Sequence, residues 1–406
     1  MNGRILFIDE DQERNGSTVS MEYLLSGFKR AGYEVYVLTW KQSEWTKVGV
    51  RASATLIDGR WGPVTTITLC VHFMYTAPPW SVTGLWSMAK DVIKFIVGGI
   101  VVAKAIRALR PDIVYLNEYS VVQASIVARW LEVPVAVHVR SRIVEGVWGL
   151  RRRFVSRLLL RYSSAIFPIT RIEAEQLQPR PTEESRIHVI GEFFPAPPEG
   201  GLPQGTCRKL FGLPPSGRVV AMLGGIKEIK GTLQFLQAAL EVQASHRDVV
   251  FAVAGSDFKD ATPQVRAYFD ACMDIARRLQ DKGACALLGE IDNPLELVAA
   301  SDIIVSPSTV THFSRPIIEG WGFGKPVVAV RTKHTEELVT DGVNGLLVPA
   351  GDVRALASCF VRLLDDEGLC RRLGLEGKKK TQSDFDAETN LGRIVEICAG
   401  LHGRRT

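Results

Sequence analysis

The chain lacks most of the features that would fix a compartment or a chemistry at once. Its seven cysteines, at 70, 207, 272, 285, 359, 370 and 398, are odd in number, scattered and free of any C-x-x-C. That excludes a disulfide framework or a zinc knuckle and fits a reducing cytosol. The opening M-N-G-R-I-L-F-I-D-E has no long apolar core and turns acidic at once. It reads as the first strand of a domain and not as a secretory leader. No long uncharged apolar run is present. The most apolar segment, 91–109, is interrupted by Lys94, Lys104 and Arg107, and its uncharged stretch 95–103 is too short to span a bilayer. A helix packed on a sheet is the expectation there, with a monotopic membrane contact as the alternative. No D-x-D motif stands at a plausible strand end, so no required metal is expected. An excess of one charge sign is also missing: the net charge is +5 over 406 residues, which permits an acidic ligand without demanding one. With 46% hydrophobic and 23% charged residues, disorder is excluded.

What the chain does have is rhythm. R-I-L-F-I, Y-E-V-Y-V-L-T, P-D-I-V-Y-L, P-V-A-V-H-V and S-S-A-I-F-P-I read as short apolar strands separated by helical segments, the first helix running from about 19 to 31. Around 192–215 the segment E-F-F-P-A-P-P-E-G-G-L-P-Q-G breaks this rhythm with Pro and Gly. The rhythm then restarts with R-V-V-A-M-L, V-V-F-A-V-A-G, C-A-L-L-G, D-I-I-V-S-P-S, P-V-V-A-V and G-L-L-V-P. Such alternation predicts parallel sheets covered on both faces. The expected organisation is a doubly wound α/β domain over 1–195, a linker over 196–215 and a second doubly wound domain over 216–385. A last helix over 386–406 either stays on the second domain or crosses back to the first. In open parallel sheets, ligands sit beyond the carboxyl ends of the strands, so a cleft between the two domains is the expected site.

Two segments of the second domain carry candidate chemistry. In T-H-F-S-R-P-I-I-E-G-W-G-F-G-K-P-V-V-A (311–329), Ser314 is suited to an N-cap and Pro316 to a first helical turn. The amides of that helix start favour an anion, and Glu319, about one turn in, offers two acceptor oxygens to a diol. A nucleotide or nucleotide-sugar site fits; so does a surface glutamate on an ordinary crossover. In L-G-G-I-K-E-I-K-G-T, Gly224 and Gly225 permit a tight turn after a strand, and Lys230 precedes a helix beginning near Thr232. A lysine there meets a diphosphate as a point charge, or is a solvated surface residue. The order K-G-T is not a Walker A loop, and the segment is not G-x-G-x-x-G.

Taken together, these segments resemble the retaining GT-B glycosyltransferases of family four, the group that includes sucrose synthase-like enzymes and mannosyltransferases. The family's strand plus G-R-x-x-x-x-K-G corresponds to G-G-I-K-E-I-K-G, and its E-x-F-G-x-x-x-x-E-A-x-A-x-G-x-P-V-V-A to 311–329. A-S-D-I-I-V-S-P-S (300–308) and E-L-V-T-D-G-V-N-G-L-L-V-P (337–349) match two further family segments. The resemblance covers essentially the whole length. It implies a GT-B architecture, two Rossmann-like domains facing across a cleft, with a UDP- or GDP-sugar as donor substrate and no required cofactor. It implies that Lys230 contacts the donor diphosphate and Glu319 the ribose hydroxyls. Ser314, Arg315 and Pro316 would line phosphate and sugar, with Phe313 beside them, while Gly289, Glu290 and Ile291 would border the base. In the first domain, R-N-G-S-T-V-S-M-E-Y-L-L places Gly16 beside the diphosphate or acceptor, and His138 would face the transferred sugar. Without the resemblance, His138 reads as a hydrogen-bonded structural residue.

Several positions depart from the family. The arginine of G-R is Gly225, with Lys227 or Arg315 as replacements. The first glutamate of the spaced pair is Thr311, the first N-terminal glycine is Asn15, and Lys333 and His334 occupy usual glycine positions. An altered donor explains these changes, and lost activity explains them too. The chemistry asks for fixed cations and helix amides against the leaving diphosphate, stronger in the transition state than in the substrate. That makes Lys230 the main candidate among the charged side chains, and with the roles that the resemblance implies for Glu319 and His138 these three form the candidate catalytic set. No glycosidase-type carboxylate pair can be assigned, and the resemblance implies that the departing phosphate takes the acceptor proton on the same face.

Between 138 and 162 lie seven arginines, at 140, 142, 151, 152, 153, 157 and 161, and one acid, Glu145. Interleaved with bulky apolar residues, Arg140, Arg142, Arg151, Arg152 and Arg153 suit a lipid-linked acceptor or an anionic membrane surface; an ordinary amphipathic helix with a solvated basic edge is the simpler explanation. No aromatic stacking platform accompanies them, which argues against nucleic acid. The functional expectation is a retaining hexosyltransferase acting on a glycan or lipid-linked acceptor in cell-surface polysaccharide or glycolipid synthesis, cytoplasmic or peripheral on the inner face of the membrane. The alternatives are a catalytically silent nucleotide-sugar-binding protein and a nucleotide-sugar epimerase of the same fold.

Overall fold

A computed structural model describes residues 3–9, 16–40, 50, 53–59, 81–194, 202–256 and 262–402. The chain divides into two compact units, Met1–Phe193 with Ala387–Thr406, and Phe194–Asp386. Each is built on a six-stranded sheet in which every described pairing is parallel.

In the first unit, β1 (Arg4–Ile8), β2 (Glu34–Thr39), β3 (Thr55–Asp58), β4 (Ile113–Leu116), β5 (Val135–Val139) and β6 (Ala165–Pro168) lie in the order β3-β2-β1-β4-β5-β6. Strands β4, β5 and β6 are buried along their whole length because helices cover both faces. The helix Gly16–Arg30 buries Met21, Leu24, Leu25 and Phe28, the spacing of one apolar stripe. The helix Ala387–His402 lies on this unit. Leu391 sits where Gly27 leaves room: a Cβ on Gly27 would meet Leu391 Cδ2 at 2.2 Å. Ile394 and Cys398 join the core with Phe7 and Tyr115.

The segment 91–109 falls within the helix Val82–Leu109. Its second half packs as expected, burying Val102, Ala105 and Ile106. Its first half does not: Leu85, Trp86, Val92, Ile93 and Ile96 are exposed. Among the described residues, no helix is long and apolar enough to cross a membrane.

In the second unit, β7 (Arg218–Leu223), β8 (Val249–Ala254), β9 (Cys285–Gly289), β10 (Ile303–Ser306), β11 (Val327–Val330) and β12 (Leu346–Val348) lie in the order β12-β11-β10-β7-β8-β9. This is the same winding as in the first unit. Chain direction across the sheet reverses between β7 and β10, so the loops leaving those two strands diverge and open a crevice. Trp321 is fully buried beneath, its indole N–H donating to the Asn344 carbonyl at 2.7 Å.

The expected linker differs from what is observed. Residues 195–201 lie outside the described residues, but Gln204–Leu210 is a helix of the second unit. Arg208 holds it there, ion-paired with Asp302 at 2.7 Å and donating to the carbonyls of Ala300, Pro214, Pro215 and Gly217. One buried guanidinium thereby satisfies the backbone of a segment whose Pro and Gly content reads as a linker.

Candidate functional site

The crevice of the second unit begins where β7 ends. Gly224 and Gly225 adopt φ of 149° and 72°. A Cβ on Gly225 would lie 2.1 Å from the Ser256 carbonyl oxygen, so the position tolerates no side chain. The arginine expected from the family pattern is thus excluded by the backbone itself. The Lys230 stem covers Gly224, with Cγ 3.0 Å from where a Cβ would stand. Thr232 fixes the turn by donating its hydroxyl to the Gly225 carbonyl at 2.8 Å.

Lys230 reaches across to the loop that leaves β10. Its Nζ donates to His312 Nε2 at 3.0 Å, and His312 Nδ1 donates to the Val310 carbonyl at 2.9 Å. The ammonium can only donate, which sets the imidazole as the neutral Nδ1–H tautomer. Burial lowers the Lys230 pKa, and neighbouring Lys227 lowers it further. Burial also lowers that of His312, followed by the charge of Lys230. Lys227 donates to the Ser256 hydroxyl at 3.2 Å. Two cations thus flank one turn.

The same loop leads into the helix Arg315–Gly322. Ser314 holds the N-cap position, but its hydroxyl pairs with Ser306 at 2.7 Å and makes no cap hydrogen bond. The serine anchors the loop to β10 where the sequence suggested a cap. Pro316 stands in the first turn and removes one donor. Glu319 is buried, and Arg315 Nε donates to its Oε1 at 3.3 Å. Burial raises the Glu319 pKa while Arg315 opposes the rise. Thr311 is half-buried, and Phe313 packs against Phe385 at 5.9 Å. Gly289 ends β9 with its carbonyl accepting from Gly255 N–H at 2.7 Å, next to the Gly225 turn; Glu290 beyond it is exposed and Ile291 half-buried. The loops after β7, β8, β9 and β10 therefore meet at one edge. Among the described residues, no group of three or more His, Cys, Asp or Glu could hold a metal ion.

The first unit places its candidates differently. Gly16 opens its helix, while Asn15 lies outside the described residues. His138 sits inside β5, 1% exposed, among the rings of Tyr115, Phe167 and Phe193. Strand alternation explains this. Ala136 and His138 face the helices Gly16–Arg30 and Ala387–His402, and the next residue on that face, Arg140, is the one that leaves the sheet. The sequence suggested His138 at the sugar; the structure encloses it. Its Nδ1 accepts from the Tyr115 hydroxyl at 2.6 Å and from Arg140 Nη2 at 3.3 Å, which puts the ring proton on a buried, unpartnered Nε2. Burial, with Arg140 beside it, holds the His138 pKa well below its ordinary value.

Arg140 is buried too. It pairs with Glu192 at 2.7 Å, the two side chains 4% and 5% exposed, and donates to the Asn117 carbonyl at 3.2 Å. Glu192 also accepts from the Ser20 hydroxyl. Half-buried Glu118 follows β4, accepting from Tyr119 N–H at 2.9 Å, its pKa pushed up to about 8 by burial. The basic segment is accordingly not one patch. Arg140 and Arg151 turn inward, Arg151 donating to the Val144 carbonyl at 3.1 Å. Arg142 is exposed and paired with Glu145 at 3.2 Å, and Arg152 and Arg153 line a cavity beside their helix. Sequence reasoning missed His312 and Glu192. Nothing local marks Glu192, 52 positions from Arg140; His312 stands inside the quoted motif as an unremarked residue.

Against known proteins, residues 217–366 match the family described as Glycosyl transferases group 1, and residues 15–191 match the Glycosyl transferase 4-like domain. The putative glycosyltransferase EpsD of Bacillus subtilis is 24% identical over 242 residues, 58% of this chain and 60% of that one. The N-acetyl-alpha-D-glucosaminyl L-malate synthase of Bacillus anthracis is 23% identical over 190 residues, 47% of each chain. The lipopolysaccharide core biosynthesis glycosyltransferase LpsE of Rhizobium meliloti is 28% identical over 125 residues, 31% of this chain and 37% of that one. The chain therefore spans between about a third and three fifths of the length of these relatives. Among solved structures, a glycosyltransferase from Rickettsia africae superposes with a TM-score of 0.75 at 16% identity, covering 100% of this chain and 99% of that one. HepE of Anabaena, solved with UDP-glucose, superposes at 0.73 and 18% identity, covering 98% and 100%. At these identities the likeness is one of fold.

Proposed function

Because the chain belongs to the group 1 glycosyltransferases of the GT-B fold, we propose that it moves a hexose from a UDP- or GDP-sugar to a glycan or lipid-linked acceptor with retention at the anomeric carbon. The observation that carries this reading is the pairing of Lys230 with the loop that leads to Glu319. Two elements leaving the adjacent strands β7 and β10 bring an ammonium and a buried carboxylate to one edge.

The roles follow from charge. As the C–O bond to the diphosphate breaks, negative charge builds on the leaving group. Lys230, with Lys227 across the turn, gains more from that charge than from the bound substrate, which is the condition for accelerating the step. Glu319 takes the ribose hydroxyls with the carboxylate oxygen that Arg315 leaves available, and Phe313, Ser314, Arg315 and Pro316 form the wall. The departing phosphate accepts the acceptor proton, so no side chain need act as base. His138 acts through Arg140 as a support and does not touch the sugar. The lipopolysaccharide-core relative supports a place in cell-surface glycan or glycolipid synthesis; the proposed location is the cytoplasm or the inner face of the membrane.

The second reading, donor binding without transfer, is favoured by one observation: Glu319 is already engaged by Arg315, and Thr311 supplies no second carboxylate. Incubation with a panel of UDP- and GDP-sugars separates the two. Release of nucleotide that requires an acceptor and disappears in Lys230→Ala supports transfer, and the anomeric configuration of the product by NMR tests retention. Binding of every donor without turnover supports the silent protein. Turnover undiminished in both Lys230→Ala and Glu319→Ala defeats the assignment.

A further inference from the structure

The first unit contains a cavity of 980 Å³ between the helix Leu150–Tyr162 and the segment 176–183, and the proposed transfer makes no use of it. Five guanidiniums line it, those of Arg152, Arg153, Arg157, Arg161 and Arg180, against the single carboxylate of Glu183. Arg153, Arg157 and Arg161 recur every four residues, so they stack on one stripe of the helix. Like charges at that spacing repel and weaken a helix. Arg152, Arg153, Arg157 and Arg161 make no ion pair among the described residues, and Arg152 Nε is buried with no hydrogen-bond partner. Glu183 is occupied locally, accepting from the Arg180 backbone N–H at 2.9 Å. Phe154, Leu160 and Leu177 give the cavity apolar walls.

Arg153, Arg157, Arg161 and Arg180 are exposed, and guanidiniums gathered on one wall in this way suit an anion with several oxygens. A phosphate presents three acceptor oxygens to planar forks that bind them in pairs. The cavity has the size of a small-molecule site. We propose that it binds a phosphate-bearing group of two or more negative charges, either as a soluble pyrophosphate-type anion or as the headgroup of an anionic lipid. All of its residues belong to the first unit, so the inference stands or falls apart from the donor site.

The test uses the full chain and two probes: inorganic pyrophosphate by calorimetry, and flotation with vesicles of phosphatidylcholine alone or with phosphatidic acid, whose phosphomonoester headgroup reaches two negative charges. Arg153→Ala with Arg157→Ala is the main variant, and Lys230→Ala runs in parallel because pyrophosphate also fits the β7 turn. A soluble ligand is indicated when the double variant weakens pyrophosphate binding about tenfold and Lys230→Ala leaves that component in place. A headgroup is indicated when pyrophosphate binding ignores the double variant but flotation with anionic vesicles is lost in it. Binding of neither probe that depends on the arginines overturns the site. So does full binding by Arg153→Lys with Arg157→Lys, which keeps charge without forks. Should the alanine pair fail to fold, Arg157→Gln with Arg161→Gln reads the same stripe.

Discussion

The two sheets share one strand order yet spend their carboxyl ends in opposite ways. At the second sheet, the polar groups beyond β7 and β10 stay close to the surface: Lys230 is held by His312, and Lys227 by Ser256. At the first sheet, Arg140, Glu192, Ser20 and His138 are consumed by one another inside the unit. Topology therefore supplies a crevice twice, and side chains decide whether it is left for a ligand or filled. A buried ion pair is costly to assemble and costly to break, so the first edge is built for rigidity. The half-buried Lys230 ammonium, its pKa lowered first by burial and then by Lys227, is poised for an anion, so the second edge is built for binding.

The sharpest way to break the contrast is to cut the buried pair. Arg140→Ala or Glu192→Ala leaves an uncompensated buried charge and is expected to cost about 3–5 kcal/mol in urea unfolding of the first unit. Arg140→Met with Glu192→Leu should recover most of that loss, since the pair offsets its own desolvation more than it adds stability. The matching change at the other edge should leave stability alone and remove rate. Lys230→Ala is expected to lower kcat by about 10² to 10³ with an unchanged unfolding curve.

Restoring the family's arginine is a subtler test. Gly225→Arg adds a cation but forces a side chain into a left-handed backbone against the Ser256 carbonyl. It is expected to lose about 1–2 kcal/mol or more of stability and to weaken donor binding. Improved binding would show that the turn can be remade.

A smaller effect comes from His138. Its folded pKa is depressed, whereas in the unfolded chain it is about 6.5. The unfolded state therefore binds the proton first. Stability is full above about pH 6.5 and falls as pH is lowered, with a slope of at most about 1.4 kcal/mol per pH unit from this group. Urea titrations at pH 7.5 and 5.0 read it, and His138→Asn should flatten the difference. The smallest expected change is at His312. A bound diphosphate favours its protonated form, so the donor KM should fall a few-fold from pH 8 to 6, and His312→Gln should remove that dependence without changing kcat.

Much of the architecture was legible because buried parallel strands leave an unmistakable trace, as in V-V-F-A-V-A and P-V-V-A-V. The turn at Gly224 and Gly225, and Glu319 one turn into its helix, were legible because local backbone chemistry fixes both. What escaped depends on long-range pairing. The helix Gln204–Leu210 exists because Arg208 finds Asp302, 94 positions away. The register of His138 needed the end of β5, and a shift of two residues along a strand exchanges an exposed tip for a core position. The first half of the helix Val82–Leu109 carries Leu85, Trp86, Val92, Ile93 and Ile96 although they are exposed, so apolar content alone did not mark that half as unpacked.

The most direct measurement is a crystal structure of the chain with a UDP- or GDP-sugar. The expected result places the diphosphate against the Lys230 ammonium at the β7 turn and the ribose hydroxyls on the Glu319 carboxylate. A nucleotide bound with both side chains out of contact would contradict the proposed donor site.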